Sequence, residues 1–287
     1  MNASVKSRGF TLIELMISLG LGLLITLAAT QLFVSSQITA SFQRGMSDVQ
    51  TSGRFALDKM VGDLRMAGMG PAAPTNDNPL ISPVVFAATE VPGLPAASTF
   101  ISSNNTQTAG ITDSDQLVIR FLADTDTTTD CEGNLVARGD YVINRYFLRV
   151  DGGSNALACD GGSYNAKAAV VSNYGDAGVV LVPGVDSFQV LYGLDDGVNG
   201  KASVARYMNS ATYLALPVAN RRPLVAVRVA LYVHSLERAG ETLPPLNAVL
   251  VGDESIPVSS ITALNDGAMR RLFVSTVALR NTDPLGV

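Results

Sequence analysis

The apolar residues of this chain are concentrated rather than evenly spread. Phe10 to Val34 read FTLIELMISLGLGLLITLAATQLFV, 25 residues in which Glu14 is the single charge. At about 1.5 Å per residue a helix of that length spans the roughly 30 Å hydrocarbon core of a bilayer. A cleavable secretory signal has a shorter apolar stretch, about 7–15 residues, followed by a small-residue cleavage site. This run is longer and no such site follows it, so the pattern predicts a membrane anchor. Lys6 and Arg8 precede the run, which puts the start in the cytoplasm and the chain beyond residue 34 on the far side.

Past Val34 the run gives way to a stripe: Ile38, Phe42, Met46, Val49, Gly53, Ala56, Met60, Leu64 and Ala67. Steps of three and four mark an amphipathic helix. Arg44, Asp48, Arg54, Asp58, Lys59, Asp63 and Arg65 are assigned to the opposite, polar face. Gly68-Met69-Gly70-Pro71 ends the pattern. One helix from Phe10 to about Ala67 would be on the order of 85 Å long. Its lower half needs lipid or other helices, and its upper half needs a domain to cover the stripe. Gly20 and Gly22 each cost this helix about 1 kcal/mol against Ala. Close helix packing or local melting on the one hand, and simple tolerance of Gly in a spanning helix on the other, explain them equally well.

Helical periodicity is absent from the remainder. Pro71 to Asp113 reads as irregular, with at most short strands such as Val84–Ala88. Strand signals follow at Gln116–Leu122, Tyr141–Val150, Ala168–Ser172, Val179–Val182, Asp186–Gly193, Leu224–His234 and Leu272–Leu279. Leu224–His234 alternates, with Val225, Val227, Val229, Leu231 and Val233 on one face, the pattern of a half-buried antiparallel strand. The expected class is α+β: a long N-terminal helix packed against a large antiparallel β-rich head.

Composition narrows the chemistry. Hydrophobic residues make up 47% and charged residues 16% of 287, which excludes a disordered chain. A net charge of −5 with only four lysines lacks the basic footprint of a nucleic-acid binder. The single histidine, His234, excludes a multi-His metal site, and no GxSxG elbow accompanies it. It reads as structural. Gly197 to Ser203 lacks the spacing of a phosphate loop. Asp124–Asp130 and Asp195–Gly200 offer carboxylates but not the 12-residue calcium loop. All three read as turns, with no metal and no cofactor expected. Cys131 and Cys159 flank a strand signal. Beyond the cytoplasm an oxidising compartment favours a disulfide between them, the alternative being two buried thiols.

Glu14 remains to be explained, because a carboxylate within a spanning helix is costly and usually has a partner. Lys6-Ser7-Arg8-Gly9 followed by Phe10-Thr11-Leu12-Ile13-Glu14-Leu15 resembles the class III signal of type IV prepilins and of type II secretion pseudopilins. The resemblance implies cleavage by the prepilin peptidase between Gly9 and Phe10 and N-methylation of Phe10. Glu14 would then pair with a terminal ammonium, its own or a neighbour's. Leu57 to Gly68 resembles the helix end of PilW-type minor pilins and of GspJ pseudopilins. Val185 to Gly193 and Arg270 to Asn281, with its Leu-Arg-Asn close, resemble PilW strands.

The chain is thus identified as similar to PilW-type minor pilins, with a leader at 1–9, a stem helix at 10–67 and a periplasmic head at 68–287. Such a protein is expected to act by packing, not catalysis, first as a single-pass inner-membrane protein and then in the pilus. Its implied partners are other minor pilins, the major pilin, the prepilin peptidase and, at the tip, an adhesin. A GspJ-like pseudopilin is the nearest alternative; a membrane-anchored binding module or enzyme is the alternative from another class.

Overall fold

The computed structural model describes residues 9–71, 81–104, 114–167, 170–198, 203–238, 248–257 and 267–281. Lys6 and Arg8, the start of the expected Ala168–Ser172 strand and part of the Gly197–Ser203 turn lie outside them. One helix, α1 (Leu12–Met66), runs unbroken for 55 residues, about 83 Å. Residues 12–39 are exposed along their whole length, partial cover begins at Ala40, and the first buried residue is Gly45.

The stripe therefore divides. Val49, Gly53, Ala56, Met60, Leu64 and Ala67 are buried as the period requires, whereas Phe42 and Met46 are half-covered and Ile38 is 54% exposed. Asp63 corrects the expected polar face, being only 5% exposed. It is tolerated there because fixed donors meet it: Asn144 Nδ2 at 2.8 Å and the Tyr146 hydroxyl.

Among the described residues the head has eleven strands: β1 (Leu117–Leu122), β2 (Tyr141–Asp151), β3 (Ser154–Tyr164), β4 (Val171–Ser172), β5 (Val179–Pro183), β6 (Val185–Asp195), β7 (Val204–Met208), β8 (Leu224–Arg238), β9 (Ala248–Val251), β10 (Glu254–Pro257) and β11 (Ala268–Ala278). A short helix, α2 (Ser210–Ala215), follows β7. The first sheet runs β1-β2-β3, with β4 and β5 both pairing β3; the second runs β11-β8-β6-β7. All pairings are antiparallel. One core joins Met60 and Leu64 of α1 to Tyr146 and Leu157 of the first sheet and to Val227, Val229 and Leu231 of the second.

β8 is not half-buried as its alternation suggests. Val227, Val229, Leu231 and Val233 join the core that α1 covers, but Ala230 and Tyr232 on the other face are buried as well, against Val249 and Val251 of the β9–β10 hairpin. β3 was absent from the strand signals because its sequence, SNALACDGGSY, is small and glycine-rich. The glycines are spatial necessities: a Cβ at Gly161 would meet Asp130, and one at Gly162 would meet the Ser172 carbonyl.

Two contacts close the helix against the head. Asn281 donates from Nδ2 to the carbonyls of Arg65, Met66 and Ala67 at 3.2, 3.2 and 3.3 Å, occupying acceptors a helix end leaves unpaired. At mid-helix Gly53 lies directly beneath the Phe273 ring of β11, with no room for a Cβ. Gly53→Val should destabilise the protein by about 1–3 kcal/mol through overpacking. Thermal or denaturant unfolding of the full chain in detergent measures this, and adding Phe273→Ala should recover part of the loss.

Candidate functional site

Thr11 is the N-cap of α1, in extended conformation at φ −81° and ψ 151°. Its hydroxyl oxygen accepts from Glu14 N at 3.3 Å, while Glu14 Oε2 accepts from Thr11 N at 2.9 Å and from Thr11 Oγ1 at 2.8 Å. This reciprocal box satisfies donors that a helix start leaves free. It also draws the carboxylate back over the first turn, one residue from Phe10. The spacing Thr11-x-x-Glu14 thus carries two messages, a processing signal and a cap. Only Oε2 is engaged by the box, and Phe10, Leu12, Ile13 and Leu15 around it are exposed.

Cys131 and Cys159 form a disulfide with a Cα–Cα distance of 6.2 Å across a separation of 28 residues. Cys131 N donates to Asn144 Oδ1 at 3.0 Å, and Asn144 in turn donates to Asp63. The bond therefore belongs to a chain of contacts that runs from α1 through β2 to β3.

Two polar constellations join residues far apart in sequence. Arg145 lies between the rings of Phe100 and Phe147, at 4.3 and 4.0 Å, and pairs with Asp160 Oδ2 at 2.7 and 2.8 Å. Glu132, Asp160 and Asp176 bring carboxylate oxygens within 4.8 Å of one another. Burial pushes the Asp160 carboxyl up and the Arg145 guanidinium beside it pulls it down; burial also raises Glu132. These are not the acidic loops that the sequence singles out, and Asp160 already has its counter-charge in Arg145.

The second constellation is built on His234. Its Nδ1 stands 2.9 Å from Asp186 Oδ1, Asp186 Oδ2 is 3.0 Å from Arg270 Nε, and Ser154 Oγ stands 3.5 Å from His234 Nε2. The order matches Ser-His-Asp, yet the serine is beyond good hydrogen-bond reach and Arg270 already compensates the aspartate. The group ties the β2–β3 hairpin to β6, β8 and β11, in keeping with a structural histidine. Nothing in the local sequence around Ser154 signals it, because the three residues meet only through tertiary packing.

The Type IV Pilus-assembly protein W family matches residues 145–281, and the prokaryotic N-terminal methylation motif matches residues 5–30. Together the two matches support a PilW-type minor pilin. No curated protein matches it significantly. Among solved structures a type IV-like pilin from Thermus thermophilus is similar, at 17% identity, over 58% of this chain and 78% of that one. The TM-score of that match is 0.24. The family match runs from within β2 to just past β11. The methylation motif contains Gly9, Phe10 and Glu14 and runs into the apolar helix, as expected of a membrane-anchored pilin.

Breaking the disulfide tests its part in the head. Closing a loop of this size contributes roughly 3–4 kcal/mol in the chain-entropy model. Cys131→Ser and Cys159→Ser should each lower unfolding stability by about that amount, and the double variant should cost little more than either.

Proposed function

We propose that this chain is a minor pilin that helps to prime assembly of type IV pili and is built into the filament at or near its tip, acting through subunit packing rather than catalysis. The observation that carries the reading is the Glu14 carboxylate, folded back over the start of an apolar helix that is uncovered from Leu12 to Thr39. In lipid that charge is expensive. Against a terminal ammonium, within a bundle of similar helices, the two charges compensate each other.

In this reading residues 1–9 are a leader that the prepilin peptidase removes after Gly9. Phe10 is then the methylated terminus, and Glu14 pairs with its ammonium or a neighbour's. Loss of Lys6 and Arg8 leaves 18 basic against 25 acidic residues, a net of −7. The stem is 10–67 and the head 68–287. Before assembly the protein crosses the inner membrane once with its head in the periplasm; afterwards it lies in the pilus. Its partners are other minor pilins and the major pilin, with an adhesin above it at the tip.

Two substitutions separate processing from assembly. Gly9→Val should leave the protein at precursor size in immunoblots and abolish its contribution to piliation; normal processing together with normal piliation would refute the prepilin assignment. Glu14→Ala should be processed normally yet be reduced to traces in sheared pili. Wild-type amounts of that variant in pili would remove the charge-pairing role.

A further inference from the structure

Nearly every free sheet edge among the described residues is blunted. The outer edge of β1 is covered by the Pro83–Val85 segment, through Arg120 N to Pro83 O at 3.2 Å and Val85 N to Val118 O at 3.0 Å. Where β6 extends beyond β7, Ser114 and Asp115 occupy its edge, accepting from Phe188 N at 3.2 Å and Val190 N at 2.7 Å. β4 has two residues; β5 has five and ends at Pro183; β7 has five and pairs through a bulge at Leu194/Asp195. These are the devices by which proteins prevent edge-to-edge pairing.

β11 is the exception. It has eleven residues, pairs on one side only, with β8, and its single irregularity is confined to Ala268/Arg270. Residues 268–281 contain no Lys, Pro, Asp or Glu. Leu279 N donates to Val225 O at 2.9 Å. In an antiparallel ladder this sets the parity: the odd-numbered residues of β11 turn their backbone groups toward β8, and Leu272, Val274, Thr276 and Ala278 turn theirs outward. Those four N–H and four C=O groups have no partner among the described residues, along a line of about 20 Å. The side chains of Leu272 and Val274, on the same residues, are 39% and 51% exposed.

We infer that the outer edge of β11 is a docking strand that takes an added β-strand from another membrane-anchored pilin subunit. Charge selects the partner. Within an acidic protein this segment carries only positive charges: Arg271 and Arg280 are exposed, while Arg270 is held by Asp186. The complementary strand therefore bears Asp or Glu opposite Arg271 and Arg280, with alternating apolar residues to cover Leu272 and Val274. Anchoring by α1 supplies the encounter, since it keeps this head beside the heads of similarly anchored subunits. The assignment goes beyond the proposed function and does not depend on where in the filament the subunit sits.

The test uses full-length protein in detergent micelles and, as probes, the other pilin-type proteins of the same source, each purified in the same detergent and added singly. Amide hydrogen exchange is followed across residues 268–281. One probe should bind and slow exchange at Leu272, Val274, Thr276 and Ala278. Val274→Pro removes an outward N–H that the β8 ladder does not use, so the fold should survive while binding weakens by about tenfold or more. Circular dichroism and the thermal midpoint check the fold, and Val274→Lys replaces the variant if the proline is not tolerated. Arg271→Glu should weaken binding, whereas Arg206→Glu on β7 should not. The inference is overturned if no probe binds, if binding leaves these four amides unprotected, or if Val274→Pro and Val274→Lys bind like the wild type. Protection that grows with concentration in the protein alone would assign the edge to a second copy and overturn the acidic partner.

Discussion

A carboxylate on the inward face of a helix is stable only if the domain above it supplies fixed donors, and Asp63 imposes that demand on this head. Tyr146 and Asn144, two residues apart on β2, meet it together. Burial and the neighbouring carboxylate hold the Tyr146 phenol well above its ordinary range, so it remains a neutral donor. Asn144 accepts in turn from the Cys131 backbone, and Cys131 is bonded to Cys159 on β3. A single side chain thereby fixes the rotation of the helix, the register of β2 and the position of the covalent link. Hydrophobic contacts alone would allow the helix to turn or slide on its apolar stripe; a buried carboxyl group with two directional donors does not.

The opposite ends of the chain are joined by the same economy. The final strand passes Phe273 over Gly53, and Asn281 then reaches the last carbonyls of α1. This accounts for the Leu279-Arg280-Asn281 close in physical terms. Leu279 enters the core beside the helix end and Asn281 caps it.

Features that repeat with a structural period were legible in the sequence. The 25-residue apolar run, the stripe from Val49 to Ala67 and the alternation of Leu224–His234 all correspond to observed elements. What escaped depends on neighbours that periodicity does not encode. Asp63 sits where the stripe leaves room for a polar face, and only Asn144 and Tyr146, about 80 positions later, make it an inward residue. The second buried face of β8 depends on a hairpin at Ala248–Pro257 whose four-residue strands carry little signal. β3 is a strand because of its partners on both sides, in spite of its glycines. The clusters around Asp160 and His234 gather residues from separate strands and loops. Glu14 was legible as the one charge of the apolar run, whereas its capping box with Thr11, although local, went unread.

The bare lower half of α1 has a thermodynamic consequence. Its side chains from Leu12 to Ile38 meet hydrocarbon in the membrane, and in a bundle of similar helices they would meet hydrocarbon again. Passage between the two settings exchanges one oily solvent for another, so the many exposed leucines and isoleucines contribute little net drive in either direction. The balance then falls to the few polar atoms at the helix start and to the head surfaces. On the proposed function, a subunit passing from lipid into such a bundle would keep its fold and never present its greasy stem to water.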